Sequence, residues 1–191
     1  KYAGQLKIYK GLEIEYFEGH DEMYRELLSK LDYLILGQHY IPTSEGRNGL
    51  KSCYGLAKES DLDIYAETVI KAMASGYFKM VCHPDLMFFA FPVFSDAARR
   101  ASIKLIDASV KYHIPLEINA NGIRRGFFPS PDGPRYLYPR EEFWILAKER
   151  NASVIISSDA HEPNLLFDQA VLDAYQFAAR LGIEVAEAIQ F

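Results

Sequence analysis

Apolar positions along this chain recur in two alternating rhythms. "KIYKGLEIEYF" (7–17) reads as a strand, and "HDEMYRELLSKL" (20–31) follows as an amphipathic helix with Met23, Leu27, Leu28 and Leu31 on one side. "YLILGQHY" (33–40) predicts the next strand, and 41–61 is an irregular stretch rich in Gly, Ser and charge. The helix "DIYAETVIKAMAS" (63–75) then leads through Gly76 to the strand "KMVCHPD" (79–85). Ser95 suits the N-cap of the helix "DAARRASIKLIDASVKYH" (96–113), which Pro115 prevents from continuing. "PLEINAN" (115–121) is a strand, 122–139 a loop with four prolines in its last eleven residues, "REEFWILAKER" (140–150) a helix and "SVIISSDAH" (153–161) a strand. Pro163 stands near the first turn of the final helix, "NLLFDQAVLDAYQFAARLG" (164–182), which closes at Gly182.

Strand and helix in regular alternation imply parallel strands with crossover helices, here in a single domain spanning 1–191. The strands are near-continuous apolar runs, as expected when both sheet faces are covered. A barrel and an open doubly wound sheet would write a similar string, so the positions of the polar residues must separate them.

Composition narrows the function classes. A formal net charge of −5, with acids and bases well mixed, argues against a nucleic-acid surface but leaves room for a local basic pocket. No apolar run approaches the length of a membrane span. The two cysteines, Cys53 and Cys82, are too few for a disulfide framework and suit a reducing cytoplasm. Cys82 ends an apolar run and reads as a buried thiol.

Several strands end in a side chain able to bind metal or phosphate: Glu13 in "GLEIEY", His39 in "LGQHY", His83 in "CHPD", Asn119 in "EINAN", and Asp159 with His161 in "SDAH". Carboxyl ends of parallel strands form one face, so these residues are expected to converge there. Imidazole mixed with carboxylate suits Zn, Mn or Fe and disfavours Ca. Any one of them alone has a plain reading: Asp159 as a helix cap, Glu13 as a solvated strand residue that shares its face with Glu15, a lone His as a hydrogen-bonded structural group. Three of the five histidines at equivalent points of one repeat make coincidence the weaker account. His20 and His113, at helix ends, read as surface or capping residues.

Taken in order, "GLEIEY", "LGQHY", "HPD", "EINANGIR", "YP" and "SDAH" resemble the PHP (polymerase and histidinol phosphatase) superfamily, and more narrowly its histidinol-phosphatase branch, from about Gly11 onward into the last helix. The resemblance implies an α/β fold of distorted TIM-like (β/α)7 barrel type, with up to three divalent ions at the carboxyl ends of the strands. It also implies a metal-dependent phosphomonoester hydrolase of histidine biosynthesis, taking L-histidinol phosphate to L-histidinol and phosphate in the cytoplasm. Glu13 then resembles the carboxylate bridging two ions, His39 and His83 the imidazoles completing one of them, Asp159 a ligand of its neighbour and His161 a ligand of a third. Such paired ions activate a hydroxide that attacks phosphorus, with Asp159 as a secondary candidate for proton transfer. Arg124 matches a phosphate-binding arginine, although Arg124 and Arg125 read equally well as loop charges; Asn119 is expected to orient a ligand.

The family pattern opens with an HxH-bearing strand that does not occur here, so the chain is expected to be the C-terminal major part of such a domain, with the first βα units missing and about one ion held tightly. The run "LMFFAFPVF" after "HPD" replaces a basic residue expected there, and reads as a substrate wall or as the contact of a homo-oligomer. The expected partner is a small phosphorylated substrate, with neither nucleic acid nor membrane. Two other readings stay open: a PHP-type phosphoesterase on another phosphate ester or nucleotide, and a non-catalytic metal-binding or assembly domain.

Overall fold

The computed structural model describes residues 4–5, 7–44 and 49–189. Five strands form one parallel sheet: β1 (Gly11–Ile14), β2 (Tyr33–Leu36), β5 (Phe78–Val81), β6 (Leu116–Asn119) and β9 (Val154–Ser157), lying side by side in that order. Between them run the helices α1 (Asp21–Leu28), α2 (Glu59–Ser75), α3 (Asp96–Tyr112) and α5 (Glu141–Glu149), and α6 (Gln169–Leu181) follows β9. A doubly wound sheet reverses its strand order at a switch point. Here the order never reverses, so each crossover moves the chain one strand further in the same direction. The described sheet is open; beyond β9 lies only a single parallel bridge from Val154 to Val185.

The helix-facing side of the sheet carries the main core. Leu34 and Leu36 of β2, Phe78 and Val81 of β5, and Leu116 and Ile118 of β6 pack there with Val69, Leu105, Phe143 and Trp144 from the helices. Phe78 and Val81 are three apart, which strict alternation would forbid on one face. The register supplies the reason: Leu34 pairs with Phe78 but Leu36 with Val81, an irregularity that returns β5 to the helix side. The other face holds a small cluster of Met80, Cys82 and Ile155.

Helix ends follow their local chemistry. Ser95 caps α3 by accepting the Ala98 N–H, and Gly76 and Gly182 close α2 and α6 in left-handed conformation. His113 is the left-handed C-cap of α3, and His20 is the N-cap of α1, its ring meeting the Glu18 carbonyl and making no capping bond.

Several boundaries differ from the sequence expectation. The stretch 41–61 contains a hairpin, β3 (Tyr40–Pro42) with β4 (Leu50–Ser52), a 3-10 turn at Cys53–Gly55 and the first turn of α2. The Pro-rich loop holds a short helix, α4 (Ala120–Arg124), and a ribbon of β7 (Phe127–Phe128) with β8 (Arg135–Tyr136). The last helix starts at Gln169, because the Asp168 side chain caps it by accepting the Val171 N–H at 3.3 Å. Residues Pro163–Leu165 form a separate 3-10 turn. Leu86, Met87 and Phe88, read from sequence as a substrate wall or subunit contact, are instead core, at most 1% exposed. Both cysteines are buried free thiols.

Candidate metal centre

Glu13, His39, His83, Asp159 and His161 all line one cavity of about 290 Å3 at the carboxyl ends of the strands, together with Tyr54, Asn121, Arg125 and Tyr138. One ligand atom from each of Glu13, His39 and His83 can be chosen so that all lie within 4.8 Å of one another. Glycine makes this approach feasible. Gly37 follows β2 directly, donates its N–H to Ile14 of β1, and a Cβ placed on it would collide with the Glu13 carboxylate. The bare backbone at Gly37 therefore lets Glu13 lean across β2 toward the two imidazoles.

Two of the three histidines are held by groups outside the triad. His39 Nδ1 lies 3.1 Å from the Gly37 carbonyl oxygen and 3.4 Å from Glu15 Oε1, which fits the Nδ1–H tautomer and leaves Nε2 for a ligand. His161 repeats the pattern, its Nδ1 lying 3.1 Å from the Asp159 carbonyl oxygen two residues back. His83 is 3% exposed; its Nε2 lies 3.3 Å from Glu13 Oε1 and its Nδ1 is buried without a partner. Asp159 is held through Oδ2, which accepts the side-chain amides of Asn119 and Asn121, each at 3.1 Å.

Charge in this pocket is lopsided. The hydrogen bond from His83 holds the Glu13 carboxyl below its usual range against the opposing effect of burial, and the charges of His83, His39 and His161 add to it. Burial pulls His83 down, but the Glu13 hydrogen bond and the charges of Glu117, Glu13 and Asp159 outweigh it and leave the imidazole raised. Burial pushes Tyr138 up to about 12. Carboxylates thus outnumber the single guanidinium of Arg125 in the cavity wall. Close-set imidazole and carboxylate donors, with a buried unpaired imidazole nitrogen among them, fit a divalent transition ion such as Zn, Mn or Fe.

Arg124 is not part of this cavity, which corrects the expectation of a phosphate-binding role. Its Nε and Nη2 donate to the two oxygens of Asp168 at 2.7 and 3.0 Å, Nη1 to the Ser158 carbonyl at 2.6 Å, and Nη2 also to Ser158 Oγ and the Leu165 carbonyl. These bonds tie α4 to the segment between β9 and α6. Arg125 instead faces the cavity, 5.9 Å over the Tyr138 ring. Gly122 permits that neighbourhood, since a Cβ there would strike Tyr138.

Sequence reasoning gave no site role to Glu117, Glu15, Tyr54, Asn121 or Tyr138. Glu117 had a signal available: it sits two positions before Asn119 on one strand and so shares its face. Glu15 supports His39, as its place two residues after Glu13 allowed. Nothing in "IRRG" distinguishes Arg125 from Arg124.

No family model matches the chain. A Deinococcus radiodurans protein named as a histidinol-phosphatase is 25% identical over 171 residues, which are 85% of this chain and 61% of that protein. The chain therefore spans about three-fifths of the length of that curated relative. Among solved structures, a Listeria monocytogenes protein assigned as a histidinol phosphatase superposes with a TM-score of 0.66 at 20% identity, covering 88% of this chain and 69% of its own. A Lactococcus lactis histidinol phosphate phosphatase, solved with Zn, L-histidinol and phosphate, superposes with a TM-score of 0.67 at 16% identity, covering 99% and 72%. The chain is thus histidinol-phosphatase-like in sequence over most of its length and shares the fold of those structures over nearly all of it.

Proposed function

We propose that this chain carries the divalent-metal site of a phosphomonoester hydrolase whose substrate is L-histidinol phosphate, released as L-histidinol and phosphate. The observation that carries this reading is the close set of Glu13, His39 and His83 donors in one cavity with Asp159, His161 and an arginine. The named relatives point to the same chemistry. The unreversed strand order supports a TIM-like (β/α)7 barrel of which the described sheet forms five strands; we read it as a single domain whose free thiols, Cys53 and Cys82, suit the cytoplasm.

Glu13, His39 and His83 would hold one ion, and Asp159 and His161 would serve neighbouring ions, up to three in all. Bound there, divalent ions supply Lewis acidity toward phosphoryl oxygens and a water of lowered pKa. Arg125 is placed to receive the phosphate dianion with a guanidinium fork, at the cavity wall where Arg124 was expected. Asn119 and Asn121 fix Asp159 Oδ2 and leave its Oδ1 toward His161, at 3.7 Å from Nδ1. Asp159 can then hold a proton passing to the leaving alkoxide. Tyr138 and Tyr54, both kept protonated by burial, are donors at the wall.

Metal analysis alongside phosphate release from L-histidinol phosphate tests this. The purified chain should hold about one Zn or Mn ion firmly, His83→Ala should lose it, and histidinol phosphate should be preferred over other phosphomonoesters. Absence of bound metal at micromolar Zn would remove the site; firm binding with equal turnover of unrelated phosphate esters would remove the substrate assignment alone.

A further inference from the structure

We infer that Glu117 positions the ligands on both neighbouring strands, holding His83 directly and Asp159 through Asn119; this rests on the metal-site reading above. Glu117 lies on β6, with β5 on one side and β9 on the other, and is 2% exposed. Its Oε2 accepts the backbone N–H of His83 at 2.8 Å and the Asn119 side-chain amide at 2.9 Å, and its Oε1 accepts the Ser157 hydroxyl. The same Asn119 nitrogen donates to Asp159 Oδ2, while Asn119 Oδ1 accepts the Gly122 N–H at 3.1 Å and so fixes which way the amide points.

The two residues reached in this way share an unfavourable backbone. His83 has φ 31° and Asp159 φ 46°, both in the left-handed region that side chains bearing a Cβ avoid. The turn at His83 has a purpose visible in the alternation of β5. Val81 faces the helices and Cys82 the opposite face, so continued extension would return residue 83 to the helices. The left-handed turn brings its imidazole instead beside Glu13 and His39, at a ring separation of 4.7 Å from the latter. A conformation of this kind persists only where its surroundings enforce it. Among the hydrogen bonds of the described residues, that of the His83 backbone N–H goes to Glu117. Those to Glu117 come from one backbone amide, one side-chain amide and one hydroxyl. A buried carboxylate without a lysine or arginine partner is poor material for core stability alone.

The test is Zn2+ affinity of the full chain, read by competition with a chromogenic chelator, and the visible absorption of the Co2+-loaded protein. Glu117→Gln keeps the shape but leaves one oxygen to serve three donors. It should fold, lose roughly 10–100-fold in Zn2+ affinity and alter the Co2+ spectrum. Ile118→Val, on the helix-facing side of the same strand, should lower Tm yet keep both affinity and spectrum. Wild-type affinity and spectrum in Glu117→Gln would overturn the assignment, whereas a wild-type chain that binds no Zn2+ would remove the metal site itself. A measurement independent of any variant is the His83 amide proton, which a carboxylate bond should shift far downfield and protect from exchange. A rapidly exchanging His83 amide in the wild-type protein would overturn the assignment whether or not Glu117→Gln folds.

Discussion

A methyl group at residue 37 would occupy the space through which the Glu13 carboxylate reaches its histidines. Gly37→Ala should leave the fold intact, since its φ is not in the left-handed region, while Zn2+ affinity falls by about tenfold or more. Isothermal titration would show it, and unchanged affinity would mean that Glu13 is not required. The two adjacent arginines make opposite predictions. Arg124→Ala removes bonds to Asp168, Ser158 and Leu165, so it should lower Tm by several degrees and leave the affinity for inorganic phosphate largely as it was. Arg125→Ala should reverse that outcome, with little change in Tm and phosphate-ester turnover reduced by about tenfold or more. Thermal melts beside kinetics separate the two. The sequence could not, because adjacent residues at the end of a short helix point apart and only the tertiary contacts around α4 reveal which one faces the cavity.

At the scale of elements, strand ends were the legible part. β-branched and apolar runs showed where β2, β5, β6 and β9 lie, and the polar residue after each run marked the cavity. Boundaries governed by competing caps were not legible. Leu165, Leu166 and Phe167 resemble the apolar stripe of a helix, yet Leu166 and Phe167 are 66% and 71% exposed, and Asp168 starts α6 after them. The hairpin in 41–61 was hidden by its polar composition. Its connection to α2 gives a further test. Asp61 Oδ2 accepts the Ala57 and Lys58 N–H groups, each at 3.0 Å, and the Lys51 ammonium of β4 at 2.6 Å. Burial raises this carboxyl, but the Lys51 bond and the two amides outweigh it and leave the pKa below its ordinary value. A depressed folded-state pKa contributes stability above the unfolded value, near 4, that is lost as pH falls through the lowered one. Asp61→Asn should therefore cost about 1 kcal/mol at pH 7, and the gap to wild type should close at a pH acidic enough to protonate the lowered carboxyl. Urea unfolding at both pH values decides it; a gap independent of pH would show that the charge is not involved.

For the whole molecule, metal binding and folding should be linked, because the candidate donors come from the ends of strands that meet only in the native state. An ion supplied at one hundred times its dissociation constant should add about 2.7 kcal/mol to unfolding, a rise in Tm of roughly 5–10 °C for a chain of this size. Chelation should reverse it, and a melt insensitive to both would place the tight site elsewhere.

The unreversed strand order also bears on how the chain reaches its native state. Each central pairing joins neighbours along the chain: Gly11 with Tyr33, Leu34 with Phe78, Val81 with Leu116, and Leu116 with Val154. Among these pairings, none has to close a loop across the whole described sheet. The entropy of each closure grows only with the logarithm of a few tens of residues. Such a topology can form pair by pair, and a growing nascent chain presents these pairings in the order of the strands. Glu13 lies on β1, and His39 and His83 follow β2 and β5, three strands that lie side by side in the sheet. The three side chains that meet most closely in the cavity thus come from strands that each pair with an immediate neighbour.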